Sequence, residues 1–135
     1  MAYKINEIEG IGPSYSEKLS GAGIDTTDHL LKRCCTSKGR REIAEATGLS
    51  DKLILNWTNK ADLMRISGVG PQFSELLEAA GVDTVKELRN RNAANLADAM
   101  EKVNTEKKLA RTSPPAGTVE KWVAAAKQMD PVITY

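Results

Sequence analysis

Apolar residues recur along this chain at the three- and four-residue spacing of amphipathic helices, and alternating strand patterns are absent. In the segment 50–61, for example, Leu53, Ile54 and Trp57 fall on one face of a helix. The pattern predicts helices over residues 4–9, 13–22, 27–34, 37–47 and 50–61 of the first half of the chain. The fold class is therefore expected to be all-α.

The second half of the chain repeats the first. Shifted by 58 positions, residues 8–13 (IEGIGP) fall on 66–71 (ISGVGP), and residues 22–26 (AGIDT) fall on 80–84 (AGVDT). A later piece repeats at an offset of 65, which places Trp57 on Trp122 and implies seven extra residues, expected in the loop 110–117. A repeat of this length predicts two units, 1–61 and 62–135, of about five helices each. Because no flexible linker separates them, we expect the units to pack as one compact body.

Each unit contains a glycine-aliphatic-glycine-proline sequence, at residues 10–13 and 68–71. Two glycines around one aliphatic residue allow a tight turn between helices. Proline suits the first position of the following helix, where its missing N–H costs nothing. The other N–H groups of that first turn have no partner within the helix, so such a hairpin can receive a phosphate on backbone donors.

These two hairpins resemble the helix-hairpin-helix superfamily, and their tandem arrangement is similar to that of DNA-repair and recombination proteins. The whole chain, including the tryptophan helices and the ending VITY, also resembles a bacterial family of unknown function. The superfamily resemblance implies that hairpin amides hold nucleic-acid phosphates and that hairpin carbonyls hold a monovalent cation. It assigns these roles to six residues, namely Gly10, Ile11, Gly12, Gly68, Val69 and Gly70.

The charge of the chain departs from that of a strongly basic nucleic-acid binder. Unit 1–61 has 9 basic and 8 acidic residues, unit 62–135 has 10 of each, and the formal net charge is +1. Affinity for duplex DNA comes mainly from neutralised phosphates, so binding requires the basic residues to cluster on one face. Related hairpins often have lysine or arginine after the proline, where this chain has Ser14 and Gln72, and Glu17 and Glu75 follow within a turn.

Two groups of basic residues are candidates for phosphate contacts. The first is Lys18, which follows the first hairpin and whose counterpart in the second unit is Leu76. The second is the cluster of Lys38, Arg40 and Arg41, which can equally be a solvated helix start. The first hairpin is therefore expected to contribute more to binding, and the second to act mainly in packing, with a positive φ at its second glycine. The predicted interface comprises Gly10, Ile11, Gly12, Ser14, Lys18, Lys38, Arg40, Arg41, Gly68, Val69, Gly70 and Gln72.

These features predict a non-enzymatic module that binds the backbone of DNA or RNA weakly and without sequence preference. The alternative is a protein-interaction or self-assembling scaffold module, which the near-zero charge and the glutamates beside both hairpins favour. The hairpins are then structural corners between helices. The apolar tail 131–135 is expected to pack on residues 1–3 or on a neighbouring molecule.

Other chemistry finds little support in the sequence. The chain has one histidine and neither a Walker-type loop nor a GxSxG motif, so we expect no enzymatic activity and no cofactor. His29, Cys34 and Cys35 are potential ligands, but their spacing fits no standard zinc site, and adjacent cysteines imply no disulfide framework. No membrane-length apolar run or signal peptide is evident, so a cytoplasmic protein is expected.

The aromatic residues of the repeat are expected in the core rather than as stacking platforms for bases. Trp57 and Trp122 lie among leucine, valine and alanine at helical spacing, and Tyr15 matches Phe73 across the repeat.

Overall fold

The structure is a computed structural model that describes residues 3–135. Within that range the chain forms one short 3-10 helix, Ile5–Glu7, and eight α-helices. The α-helices are α1 Pro13–Gly21, α2 Thr27–Cys34, α3 Ser37–Thr47, α4 Asp51–Leu63, α5 Pro71–Ala79, α6 Val85–Leu88, α7 Ala93–Lys107 and α8 Ala116–Lys127. The described residues form no β-strand, and Lys4 and Thr26 form an isolated antiparallel bridge. The all-α prediction is confirmed.

Side-chain oxygens cap most of these helices, which explains why the sequence placed their starts well. Thr26, Thr36, Ser50, Thr84 and Asn92 each accept a hydrogen bond from a backbone N–H in the first turn of α2, α3, α4, α6 and α7. Such caps satisfy one of the amides that a helix start leaves without an internal partner. The helices α1 and α5, which begin at glycine N-caps, have no side-chain cap.

The structure contains fewer helices than the expected ten. The predicted helix 4–9 is reduced to the 3-10 turn Ile5–Glu7. Its counterpart in the second half is part of α4, which continues to Leu63 because Ala61, Asp62 and Leu63 are all buried between the two halves. The extra residues of the second half lie at the end of α7 and in the loop 108–115.

The hydrophobic core consists of two clusters that meet along α4. One cluster surrounds Trp57 and includes Met64, whereas the other surrounds Trp122 and includes Leu63. Polar contacts also join the halves: the side-chain amide of Asn56 donates to the carboxylate of Glu78 (3.1 Å). The chain therefore packs as one compact body in the described residues.

The C-terminal segment 128–135 has no helix and folds back over α2 and α3. The backbone N–H of Thr134 donates to the carbonyl of Cys35 (2.8 Å), and Ile133 is buried. The side chain of Arg65 donates to the carbonyl of Asp130 (3.3 Å). The tail was expected to pack on residues 1–3, but Tyr3 pairs with Thr27 instead: its amide donates to the Thr27 hydroxyl (3.1 Å), and its carbonyl accepts from the Thr27 amide (2.9 Å). Residues 1–2 lie outside the described part.

No helix between residues 3 and 135 has the length and apolar character needed to cross a membrane.

Candidate nucleic-acid interface

The two glycine hairpins have nearly the same backbone conformation. Gly10 has φ +95° and Gly68 has φ +92°, a region that favours glycine. The amide of Ile11 donates to the carbonyl of Ile8 (3.1 Å), and the amide of Val69 donates to the carbonyl of Ile66 (3.0 Å). Ile11 and Val69 are also buried. Their amides are therefore engaged inside the turn, which corrects the expectation that they contact phosphate.

The second glycine of each hairpin is the N-cap of the following helix and has an ordinary extended conformation. Gly12 has φ −87° and Gly70 has φ −93°, so the positive φ inferred for Gly70 is wrong and belongs to Gly68. A Cβ at Gly12 would meet nothing within 4 Å, and one at Gly70 would lie 3.8 Å from the Tyr3 hydroxyl. Packing thus does not require glycine at either N-cap.

These N-caps leave backbone donors open at the protein surface. The first helical bonds are those from the Ser16 amide to the Gly12 carbonyl and from the Ser74 amide to the Gly70 carbonyl, both 2.9 Å. The amides of the two residues after each proline precede these bonds and have no acceptor within the helix. Together with the positive end of the helix dipole, they form a local anion-attracting surface.

A tryptophan lies beneath each hairpin. Trp57 and Trp122 are 1% and 2% exposed, as expected for core residues. The ring of Tyr15 packs at 5.1 Å from that of Trp57, and the ring of Phe73 at 5.3 Å from that of Trp122. Tyr15 is nevertheless 36% exposed, so its assignment to the core is corrected: it covers the tryptophan at the surface.

The predicted basic cluster on α3 is split by the fold. Arg40 is 5% exposed, and its guanidinium donates to the carbonyls of Cys34 (2.9 Å) and Thr134 (2.7 Å). It therefore holds the C-terminal segment on α2 and α3. The prediction that Arg40 contacts phosphate is corrected, because its guanidinium is buried and already bonded. Lys38 and Arg41 remain exposed on α3.

The first hairpin is less basic than the sequence predicts. Lys18 is exposed but lies in the last turn of α1, away from the helix start. A groove of about 570 Å³ in front of Gly12 is lined instead by Ser16 and the carboxylate-bearing Glu17. Ser14 is exposed beside it. The negative charge of Glu17 opposes a phosphate at this helix start.

The second hairpin gains cations that sequence reasoning missed. The side-chain oxygen of Gln72 accepts a hydrogen bond from the backbone N–H of Arg111 (3.4 Å), which places loop 108–115 beside the start of α5. A groove of about 660 Å³ is lined by Gln72 together with Lys108 and Arg111, and both basic residues are exposed. The insertion that carries Lys107, Lys108 and Arg111 was the available sequence signal, but its position next to the hairpin is a tertiary feature.

The carbonyl just before the first hairpin is engaged by a buried lysine. The ammonium of Lys60, a residue 6% exposed, donates to the carbonyl of Glu9 (3.1 Å). The repeat places Ala125 at the corresponding position of the second unit. Of the two hairpins, the first therefore has a lysine ammonium at this position and the second does not.

The candidate metal ligands are dispersed in the described part of the chain. No group of three histidine, cysteine, aspartate or glutamate side chains lies close enough to hold a metal ion within residues 3–135. His29 accepts a hydrogen bond from the Asp25 amide (3.2 Å). Cys34 is buried, and desolvation raises the pKa of its thiol to about 11.

Residues 9–129 match DUF4332, a domain of unknown function. The match covers most of the chain, and the protein therefore belongs to this family. The expected similarity to a family of unknown function agrees with the match. Neither a curated protein nor a solved structure matches the chain.

Proposed function

We propose that this protein is a non-enzymatic module that binds the phosphate backbone of DNA or RNA weakly and without sequence preference. The observation that carries the proposal is the start of α5, where Gln72, in the uncapped first turn after the N-cap Gly70, lines a groove with Lys108 and Arg111. Amides at a helix start attract an anion, and nearby cations strengthen the attraction. Contacts of this kind position a protein on the backbone but carry no sequence information.

The second hairpin is the main contact in this proposal, which reverses the ranking expected from the sequence. Gln72 at its helix start shares a groove with two exposed cations, whereas the groove at the start of α1 contains Glu17 and no cation among the described residues that line it. Glu7 and Glu9 line the groove on the other side of this helix start, so a phosphate is expected on the side of Lys108 and Arg111. Leu76, the counterpart of Lys18, is fully buried and anchors α5 in the core. The first hairpin then offers a second, weaker amide site through Gly12 and Ser14.

We further propose that the chain is a duplicated pair of helix-hairpin-helix units. Equivalent glycines have equivalent backbone angles, and each hairpin lies over a tryptophan that an aromatic residue of the next helix covers. A third correspondence supports the repeat: a Cβ at Gly23 would lie 3.5 Å from the guanidinium of Arg33, and one at the equivalent Gly81 would lie 3.7 Å from that of Arg91.

The proposal is tested by titrating a fluorescently labelled 20-nucleotide single strand and the matching duplex at low salt, with anisotropy as the readout. Each lost phosphate contact should lower the slope of log affinity against log salt by about 0.7–0.9. The double variant Lys108→Gln/Arg111→Gln should therefore bind more weakly and show a slope smaller by about 1.4 for the single strand and about 1.8 for the duplex. Unrelated sequences of equal length should bind alike.

The matched control is Lys86→Gln/Lys102→Gln, which removes the same net charge from exposed positions on α6 and α7. Lys102 shares a surface groove with three carboxylate residues, where a phosphate is disfavoured. Equal losses in the two double variants would mean that net charge alone governs binding, and the hairpin site would be refuted. Absence of any complex at tens of micromolar protein and low salt would refute nucleic-acid binding itself.

A protein-interaction module is the second candidate, and one groove favours it. This groove, of about 680 Å³, lies between the N-terminal segment and the second hairpin and is lined by Tyr3, Phe73 and Pro71 together with Glu7 and Glu9. Aromatic rings beside carboxylates suit a basic peptide better than a phosphate. If the labelled strands do not bind, light scattering at high protein concentration tests whether the partner is a second copy of the chain.

A further inference from the structure

We infer that the groove between the first hairpin and α4 is a binding site for a small oxyanion, either a phosphate or a carboxylate group. The groove encloses about 380 Å³ and is lined by Gly10 on one side and by Ser50, Lys52, Trp57 and Lys60 on the other. It shares no residue with the groove at the start of α1, which is lined by Gly12, Pro13 and other residues. The inference is therefore independent of the proposed nucleic-acid interface.

The first reason is an unpaired donor in the wall of the groove. The hydrogen bonds around it run from Lys60 to the Glu9 carbonyl, from Asn56 to Glu78 and from the Leu53 amide to Ser50, and none uses the indole N–H of Trp57. Within residues 3–135, Asn59 Oδ1 is the side-chain polar atom that is both fully enclosed and without a hydrogen bond. The indole nitrogen of Trp57 also lacks a hydrogen bond, but it is not fully enclosed. The unpaired indole nitrogen of this 1% exposed residue is thus reached from the groove.

Gly10 keeps this donor accessible. A Cβ at residue 10 would lie 3.7 Å from the indole nitrogen of Trp57, in van der Waals contact, and a longer side chain would cover it. The glycine is required by its φ of +95°, so the opening is a consequence of the hairpin itself. An oxygen atom that enters beside Gly10 can accept from the indole N–H, which is a donor only.

The second reason is charge. The ammonium of Lys60 uses one of its three protons on the Glu9 carbonyl, which leaves two for a ligand, and its stem is almost completely buried. Lys52 adds an exposed ammonium, and the hydroxyl of Ser50 accepts the Leu53 amide but keeps its own proton to donate. Among the lining residues, Lys52 and Lys60 outnumber the Glu9 carboxylate, and the nearby Glu78 carboxylate, which does not line the groove, is bonded to Asn56. Charge-assisted hydrogen bonds from such donors favour an anion with several oxygen atoms.

The second unit lacks this donor set and serves as an internal control. The indole nitrogen of Trp122 lies 3.3 Å from a Cβ built on Gly68. At the offset of 65, however, Gly117 corresponds to Lys52, and Ala125 corresponds to Lys60. We therefore expect an oxyanion to bind beside Trp57 and not beside Trp122.

The experiment is a two-dimensional ¹H–¹⁵N NMR titration of the full chain with sodium phosphate and, separately, with sodium acetate, at constant ionic strength set with sodium chloride. The chain has two tryptophans and hence two indole N–H signals. The Trp57 signal should shift with saturation in at least one titration, and the Trp122 signal should stay in place. A response to phosphate alone identifies a phosphate site, and a response to acetate alone identifies a carboxylate site.

Three variants locate the effect. Lys52→Gln should raise the midpoint of the titration about fivefold, as expected for removing one unit charge about 4 Å away in water. Lys32→Gln, which removes an exposed lysine from α2, should leave the midpoint unchanged. Gly12→Asp places a carboxylate at the start of α1 and should leave the Trp57 response in place, because that start is a different groove.

The inference is overturned if the Trp57 signal does not move up to 50 mM of either anion, or if the two indole signals move together. It is also overturned if Gly12→Asp abolishes the response, since the anion then binds at the helix start. Lys60→Met should remove saturation altogether, and if this variant is unfolded, the Lys52→Gln result decides.

Discussion

The paired glycines of each hairpin have different structural requirements, and one substitution at each shows this. In the second hairpin, Gly68 has φ +92° whereas Gly70 has φ −93°. An alanine at residue 68 must adopt a left-handed conformation, which costs roughly 1–2 kcal/mol. Its Cβ would also lie 3.3 Å from the indole nitrogen of Trp122, a tight contact that a buried side chain relieves with difficulty.

The same substitution at residue 70 meets none of these obstacles. Its Cβ would lie 3.8 Å from the Tyr3 hydroxyl, in ordinary contact. Alanine is a poorer N-cap than glycine, but it also reduces the conformational freedom of the unfolded chain by about 0.4–1 kcal/mol, and the two effects nearly cancel. We therefore expect Gly68→Ala to lower the free energy of unfolding by about 1–3 kcal/mol and Gly70→Ala to change it by less than about 0.5 kcal/mol.

Thermal and urea unfolding followed by circular dichroism at 222 nm measures both effects. For a chain of 135 residues, 1 kcal/mol corresponds to roughly 3–6 °C in Tm, so Gly68→Ala should melt at least about 3 °C below the wild type. Gly10→Ala should lose less than Gly68→Ala, because its Cβ lies 3.7 Å from the tryptophan rather than 3.3 Å. Equal destabilisation by Gly68→Ala and Gly70→Ala would refute the assignment of the constraint to the first glycine.

Three further outcomes follow from buried polar groups. Iodoacetamide at pH 8 should modify Cys35 and spare Cys34, because the thiolate is the nucleophile and burial raises the pKa of the Cys34 thiol to about 11. Peptide mass spectrometry measures both rates of modification, and equal rates would contradict this expectation. Because that pKa exceeds the ordinary value of 9.0, the unfolded chain loses this proton first. The contribution of this thiol to stability should therefore be complete below about pH 9 and be lost as the pH rises towards about 11, and Cys34→Ala should remove this part of the pH dependence. Arg40→Met should cost about 1–3 kcal/mol and expose the C-terminal segment to carboxypeptidase digestion, whereas Arg41→Met, on an exposed residue, should change neither.

Local patterns were enough to place most of the helices, because their ends are set by neighbours in the chain. Ser50 caps α4 and Asn92 caps α7 with their own side chains. The apolar spacing around Trp57 places that residue in a core whichever helix covers it. The glycine-proline turns are local as well, and their positions were correct although the positive φ was assigned to the wrong glycine.

The candidate site depended on contacts between residues distant in sequence. Arg40 and Arg41 are adjacent and chemically alike, yet one is buried against the C-terminal segment and the other is exposed. No periodicity distinguishes them, because the segment that covers Arg40 arrives from 94 residues away.

The all-helical class and the positions of both hairpins were present in the amino-acid pattern, because helix propensity, capping and turn formation act over a few residues. Tertiary structure alone decided which hairpin is basic and which donors are free. Loop 108–115 approaches Gln72 only after α7 and α8 have packed, and the ammonium of Lys60 reaches Glu9 across 51 residues of chain. Charge at a surface site is a sum over space, so a chain with a net charge of +1 can contain a cationic groove that its sequence order does not show.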